Sequence, residues 1–283
     1  MNASPVALVT GATSGFGLET AELLSKNGYR VYASFRNPRK LAALRALSRE
    51  QTVTLLFMDV NRPPTITQAI RRIVKKEGRL DVLVNNAGFV MAGFLEDLSD
   101  QEFRAQFETN LFGLLRVTRE ALPVMRRQRR GKIVNLGSVS GRVAFPGIGA
   151  YAASKFAVRS ATEGLRQEVR PFGIEVCEIA PGSFATQVVA STRFGQKVKS
   201  PSSPYTPFTI QMEDRVRQEF AKGGAPSEVA GLILRALGDS PMKPVYLAGR
   251  DAKAMVFLKW LLPDAWFEAL LKRAFPWSRS VRP

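Results

Sequence analysis

Tyr151 and Lys155 stand four residues apart in Tyr151-Ala152-Ala153-Ser154-Lys155, and Ser138 lies thirteen positions ahead of the tyrosine. On a helix such a pair shares one face, with roughly 5–6 Å between Cβ atoms. An ammonium beside a phenol favours the phenolate, so it lowers a tyrosine pKa from its ordinary value of about 10. A tyrosine tuned in this way exchanges protons near neutral pH, as a general acid or base must. The Ser138 hydroxyl can hold a carbonyl or alcohol oxygen at the same spot. Taken alone, a Tyr-x-x-x-Lys pair also fits a solvated helix face, so the rest of the chain has to decide.

Chemistry at that spot needs a scaffold, and short apolar runs alternating with helical segments supply one. The pattern predicts strands over 6–10, 29–35, 52–58, 80–84, 132–136, 175–179 and 245–247. It predicts helices over 18–27, 38–47, 65–76, 151–170 and 227–237, and one long helix or two over 101–127. Apolar strands without polar alternation, separated by helices, imply a parallel sheet covered on both faces. Right-handed crossovers then give an α/β doubly wound sheet, with its ligand crevice at the carboxyl ends of the strands. We read residues 1–250 as one catalytic domain, 183–224 as a substrate loop within it, and 251–283 as an amphipathic C-terminal extension.

The first strand runs into Thr10-Gly11-Ala12-Thr13-Ser14-Gly15-Phe16-Gly17, which opens the first helix. Glycines let a backbone approach a pyrophosphate, and a helix N-terminus adds N–H donors and a positive dipole end. Glycines at 11, 15 and 17, together with Tyr151 and Lys155, make the chain resemble the classical short-chain dehydrogenase/reductase family. The resemblance covers roughly residues 6–247, and further motifs follow in the family's order. These are Asp59-Val60; Asn85-Asn86-Ala87-Gly88; Asn110; Ser138; Tyr151 with Lys155; and Pro181-Gly182 with Thr186.

The resemblance implies a Rossmann-type fold and a set of roles. Tyr151 would give a proton to a carbonyl oxygen or take one from an alcohol. Lys155 would lower its pKa and hold the nicotinamide ribose, and Ser138 would hold the substrate oxygen. Asn110 would support a water chain reaching the lysine. Gly11, Thr13, Ser14, Gly15, Phe16 and Gly17 would form the pyrophosphate loop. Asp59, Val60, Asn86, Ala87 and Gly88 would line the adenosine, and Pro181, Gly182 and Thr186 the nicotinamide. Gly137 departs from the pattern, since many relatives carry a second serine there.

Charge argues the phosphate state of the cofactor. NAD-binding chains place an acid at the end of the second strand to meet the ribose 2′-hydroxyl. Here that region reads Ser34-Phe35-Arg36-Asn37-Pro38-Arg39-Lys40, with no acid. Ser34 and Arg36, with Arg39 and Lys40 nearby, suit a 2′-phosphate. The expected cofactor is therefore NADP(H), with NAD(H) as the alternative.

Val143 and Phe145 near the tyrosine, and Phe208 in the loop, form an apolar substrate wall, although the same residues also suit a packed core. A small apolar carbonyl or alcohol fits such a wall: a steroid, a retinoid or a lipid. The loop and tail are similar in style to the 17β-hydroxysteroid and retinol dehydrogenase branch. In the tail, Trp266, Phe267, Leu270, Leu271 and Phe275 line one helical face, opposite Glu268, Lys272 and Arg273. That face can lie on an anionic membrane, cap the pocket or join an interface. The resemblance further implies a homodimer or homotetramer.

Composition removes other chemistries. With no histidine in 283 residues, histidine catalysis and histidine metal ligation are excluded, and no metal site is expected. The single cysteine, Cys177, falls in a strand, so no internal disulfide can form, as suits a reducing compartment. No cationic leader or spanning segment is expected, which points to the cytoplasm or a membrane periphery. A net charge of +17 attracts polyanions and anionic membranes. The basic run at 125–132 lacks interleaved aromatics, so nucleic acid is not an expected partner. An NAD-dependent alcohol dehydrogenase and a non-catalytic dinucleotide-binding regulator stand as the competing readings.

Overall fold

The structure of the protein, a computed structural model, describes residues 4–50, 52–184, 192–210, 213 and 223–274. Its centre is a seven-stranded parallel sheet built from β1 (Val6–Val9), β2 (Arg30–Phe35), β3 (Val53–Phe57), β4 (Val82–Asn85), β6 (Gly131–Leu136), β7 (Ile174–Pro181) and β9 (Val245–Ala248). The spatial order is 3-2-1-4-6-7-9. Strand order reverses at β1, which pairs with β2 on one side and β4 on the other. In an open α/β sheet that reversal is where a ligand crevice forms.

The strands lack polar alternation because both sheet faces are covered. Ala7 and Val9 pack with Leu24 of α1 (Gly15–Lys26), Leu44 of α2 (Ala42–Glu50) and Ile233 of α7 (Pro226–Gly238). Val6 and Leu8 pack on the other side with Ile66 and Ile70 of α3 (Pro63–Glu77) and Val117 of α5 (Leu114–Gln128). Each such aliphatic side chain, fully buried, contributes roughly 1.5–3 kcal/mol.

Several elements differ from the sequence-based expectation. Residues 38–47 do not form one helix: Pro38–Lys40 is a 3₁₀ turn, and α2 begins at Ala42. Residues 101–127 form α4 (Asp100–Phe107), a π-helical turn over Glu108–Gly113, and then α5. The 183–224 tract is not purely irregular. Arg193–Phe194 (β8) pairs in parallel with Met91–Ala92 (β5), and Phe184 bridges to Gly224. Among the described residues of the tail, α8 (Arg250–Leu261) and α9 (Asp264–Ala274) are the two expected helices.

A buried polar ladder fixes α6 (Gly149–Val169), the helix that carries Tyr151. Asn85 donates to Thr118 Oγ1 and Asn135 Oδ1, both at 2.9 Å. Asn135 donates in turn to Thr162 Oγ1 on α6 at 3.0 Å. Buried amides without partners cost about 1–3 kcal/mol each, so the ladder favours one register of α6 against the sheet.

Candidate active site

The glycine loop is built around close backbone approaches. Gly11 (φ 64°) and Gly15 (φ 55°) occupy the left-handed region that favours glycine. A Cβ on Gly11 would sit 2.9 Å from Ala87 Cα, and one on Gly17 would sit 2.4 Å from Asn86 Nδ2. Asn86 Nδ2 donates to Thr10 O (2.8 Å) and Gly11 O (3.0 Å). Thr10 Oγ1 accepts from the N–H groups of Asn86 and Ala87, both at 2.9 Å. The loops after β1 and β4 are thereby fused into one floor. Thr13, Ser14, Gly15 and Phe16 stay partly exposed above it. The first turn of α1 has no acidic residue and no side-chain cap, which leaves its N–H groups uncommitted. Residues of this kind fit a pyrophosphate.

Ser34 is 1% exposed, and its Oγ accepts from Gly11 N at 3.2 Å, so this serine braces the glycine loop. The expected phosphate cradle therefore reduces to Arg36, Arg39 and Lys40, all exposed beyond the end of β2. Asp59 is half-buried, with Oδ1 accepting from Asn61 N at 3.0 Å. Val60 packs beneath Gly113 of the π-helical turn. Pro181 ends β7, and Gly182 N donates to Ala248 O at 2.9 Å. Asp251, in the first turn of α8, accepts from Ser183 N through Oδ2 at 2.6 Å. Thr186 lies outside the described residues.

Asn110, Ser138, Tyr151 and Lys155 meet beyond the carboxyl end of β6. Asn110 is buried and clasps the β4 exit: Oδ1 accepts from Phe89 N, and Nδ2 donates to Phe89 O, both at 3.1 Å. Its Nδ2 also donates to Ser154 Oγ at 3.2 Å, reaching the Tyr151 helix. The Ser138 hydroxyl is near enough to Tyr151 to draw its pKa downward. Lys155 Nζ donates to Leu136 O at 2.7 Å and lies 5.7 Å from the Tyr151 ring centroid.

The electrostatics correct one expectation. Burial holds the Tyr151 phenol above its ordinary pKa, and only the Ser138 hydrogen bond pulls the other way. The same burial brings the Lys155 ammonium down to about 8, with the Glu178 carboxylate opposing the fall. Desolvation dominates both shifts, and the i,i+4 attraction on which the expected lowering rests is not among their causes.

The apolar wall is also rearranged. A cavity of about 630 Å³ opens between Ala144, Phe145, Pro146, Gly147, Gly149, Phe94, Leu95, Tyr205 and α9. Phe145 lines it, whereas Val143 (3% exposed) and Phe208 (8% exposed) are packed inside and are not among its walls. In α9 the apolar residues divide: Phe267 is buried, Leu271 lines the cavity, and Trp266 and Leu270 face outward. Phe275 lies outside the described residues.

Sequence reasoning missed Gln106, whose side chain accepts from Met91 N (2.6 Å) and donates to Phe89 O (2.9 Å) beside Asn110. It also missed Asp251. Neither carries a spacing signal, because both act on backbone brought near only by folding. Thr10 was legible as the last strand residue before the glycines.

A family model described as short chain dehydrogenase matches residues 5–197. The chain belongs to the short-chain dehydrogenase family. This short-chain dehydrogenase is 35% identical to the uncharacterized oxidoreductase YusZ of Bacillus subtilis, over 95% of this chain and 97% of that one. It is 42% identical to the 3-ketodihydrosphingosine reductase of Bacteroides thetaiotaomicron over 64% of each chain. A short-chain dehydrogenase of Streptomyces avermitilis superposes with TM-score 0.81 at 32% identity, covering 96% of both chains. Actinorhodin polyketide ketoreductase with NADPH does so with TM-score 0.74 at 33% identity, over 87% of this chain and 94% of that one. A Burkholderia phymatum member in complex with NAD gives 0.80 at 26% identity, over 90% and 92%. This family member is accordingly an oxidoreductase.

Proposed function

We propose that this short-chain dehydrogenase is an NADP(H)-preferring reductase of apolar ketones, with Tyr151 as the proton donor. The observation that carries this reading is the convergence of Ser138, Tyr151 and buried Lys155, whose Nζ lies 5.7 Å from the Tyr151 ring centroid, at the edge of the fused glycine-loop floor. A nicotinamide dinucleotide, when bound, supplies hydride to the carbonyl carbon. Tyr151 and Ser138 hold the carbonyl oxygen between two hydroxyls, and the Tyr151 proton passes to that oxygen as negative charge develops. A phenol held above its ordinary pKa keeps that proton at neutral pH, which suits reduction better than alcohol oxidation. Lys155, as an ammonium below pH about 8, stabilises the phenolate left behind. Asn110 fixes the Phe89 backbone and the Ser154 hydroxyl beside the centre.

Among apolar ketones we favour long-chain keto lipids over steroids and retinoids. The cavity is lined up to Gly149, two residues before Tyr151, and its volume has room for an apolar chain. Two similar proteins bear names of ketone reductases, one for 3-ketodihydrosphingosine and one for a polyketide. NADPH consumption should be fastest with a long-chain 3-keto sphingoid base in a panel that includes androstenedione, retinal and small aldehydes. Turnover confined to small hydrophilic aldehydes, or to NADH, would reject the reading.

The tail supports a lipid-facing role. Trp260 is 78% exposed, Trp266 68% and Phe257 56%, with Lys253 on the same helix as the first and last of these. Exposed aromatics with a net charge of +17 suit the surface of an anionic bilayer. Among the described residues, no helix is long and apolar enough to cross a membrane. Trp260→Ser with Trp266→Ser should reduce co-sedimentation with phosphatidylserine vesicles several-fold. Equal binding by the parent chain and the variant would reject membrane contact. Exposed Phe112, in the π-helical turn, and Phe156, on α6, support pairing of two copies through that side.

A further inference from the structure

Glu178 lies mid-strand in β7, opposite Asn135 of β6 and Val245 of β9, where an aliphatic residue would be expected. Its side chain is 3% exposed and that of Arg142 is 9% exposed. The two form a bidentate pair, with Arg142 Nη1 donating to Oε1 at 2.9 Å and Nη2 donating to Oε2 at 2.6 Å. A pair so deeply buried is poor evidence for stability, because desolvation of both charges offsets their attraction. Its position suggests another use. Arg142 directly follows the 3₁₀ turn Val139–Gly141, and Ser138 caps that turn. Room for the carboxylate exists only because residue 137 is glycine: a Cβ there would lie 1.9 Å from Glu178 Oε1. The departure at Gly137 and the acid in the strand are thus two halves of one arrangement.

We infer that the Arg142–Glu178 pair is a positioning device that pins the Ser138 turn, and the cavity wall that begins at Ala144, onto β7. Within the turn the hydrogen bonds are short-range: Ser140 N to Ser138 Oγ (3.1 Å), Gly141 N to Ser138 O (2.9 Å), and Arg142 N (2.9 Å) and Val143 N (3.0 Å) to Val139 O. Gly137 N, just before the turn, donates to Ile179 O of β7 at 2.8 Å, and none of the bonds within the turn itself reaches the sheet. The fork from Arg142 to β7 does, and it sets where the Ser138 hydroxyl stands relative to Tyr151. The inference rests on the proposed roles of Ser138 and Tyr151, and it adds residues that touch neither substrate nor cofactor.

The test compares Glu178→Gln, the paired change Arg142→Met with Glu178→Leu, and Tyr151→Phe, using NADPH and a long-chain 3-keto sphingoid base. Buried ion pairs replaced by apolar residues of similar volume often keep or gain stability, so the paired variant should fold and melt at or above the parent temperature. Its kcat should nevertheless fall about ten- to a hundredfold, as a displacement near 1 Å at a reacting group produces. The NADPH dissociation constant should stay unchanged. Backbone amides of residues 140–143 should exchange at least about tenfold faster, a readout that needs no substrate. Glu178→Gln should show the same split in weaker form. A well-folded paired variant with parental kcat and parental amide exchange would overturn the positioning role, while Tyr151→Phe still loses turnover. Retained turnover in Tyr151→Phe would instead overturn the proposed centre itself.

Discussion

Tyr151→Phe should lower turnover about 10³- to 10⁴-fold and leave NADPH affinity within about twofold, because one hydroxyl is removed and the ring remains. The residual rate would come from orientation, which Ser138 and the cavity still supply. The pH dependence follows from the two directions at the site. Tyr151 is held above its ordinary pKa by burial, so it remains a proton donor across the neutral range. Lys155 titrates first, at about 8, and above that pH it no longer offsets charge on the phenolate. Ketone reduction should therefore be level below pH about 7 and fall as pH rises through about 8. A rate that climbs through the same interval would show the phenolate acting as base, and would favour alcohol oxidation as the working direction. Initial-rate profiles of kcat from pH 6 to pH 10 measure this directly.

Arg36→Asp should weaken NADPH binding by at least about a hundredfold and leave NADH binding within about threefold. A charge-assisted hydrogen bond to phosphate contributes about 1.5–3 kcal/mol, and an introduced carboxylate adds repulsion. The prediction rests on Arg36 because the structure removes its expected helper, as Ser34 is turned inward against Gly11. Arg39 and Lys40 are exposed nearby, so a smaller loss would mean that the phosphate is shared among three cations. Fluorescence titration with both cofactors separates these cases. Equal affinities in parent and variant would reject Arg36 as the determinant.

Much of the fold was legible because the strands are buried on both faces. Val6 to Val9 turn alternately into two different cores, which is why all four are apolar. The catalytic candidates were legible because Tyr151 and Lys155 share a helix, and because Ser138 follows a strand by a fixed short interval. What stayed hidden depends on pairs distant in sequence or on competition between effects. The π-helical turn at Asn110 has no composition of its own. β5 and β8 are two residues each and exist only by pairing across a hundred positions. The direction of the Tyr151 shift was misjudged because helix spacing reports proximity, whereas the extent of water exclusion is a property of the assembled site. Glu178 reads in sequence as an ordinary strand acid, and its partner Arg142 lies thirty-six residues away.

The bond from Asp251 to Ser183 N has a practical consequence for recombining this chain with its relatives. The last segment follows the final strand, a place where exchange is ordinarily tolerated. Here Asp251 in that segment anchors Ser183 N just past the end of β7, and a Cβ on Gly182 would collide with the same carboxylate. A chimera joined at Gly249 would lose the anchor on Ser183 N unless the donor also brought an acid to the matching place.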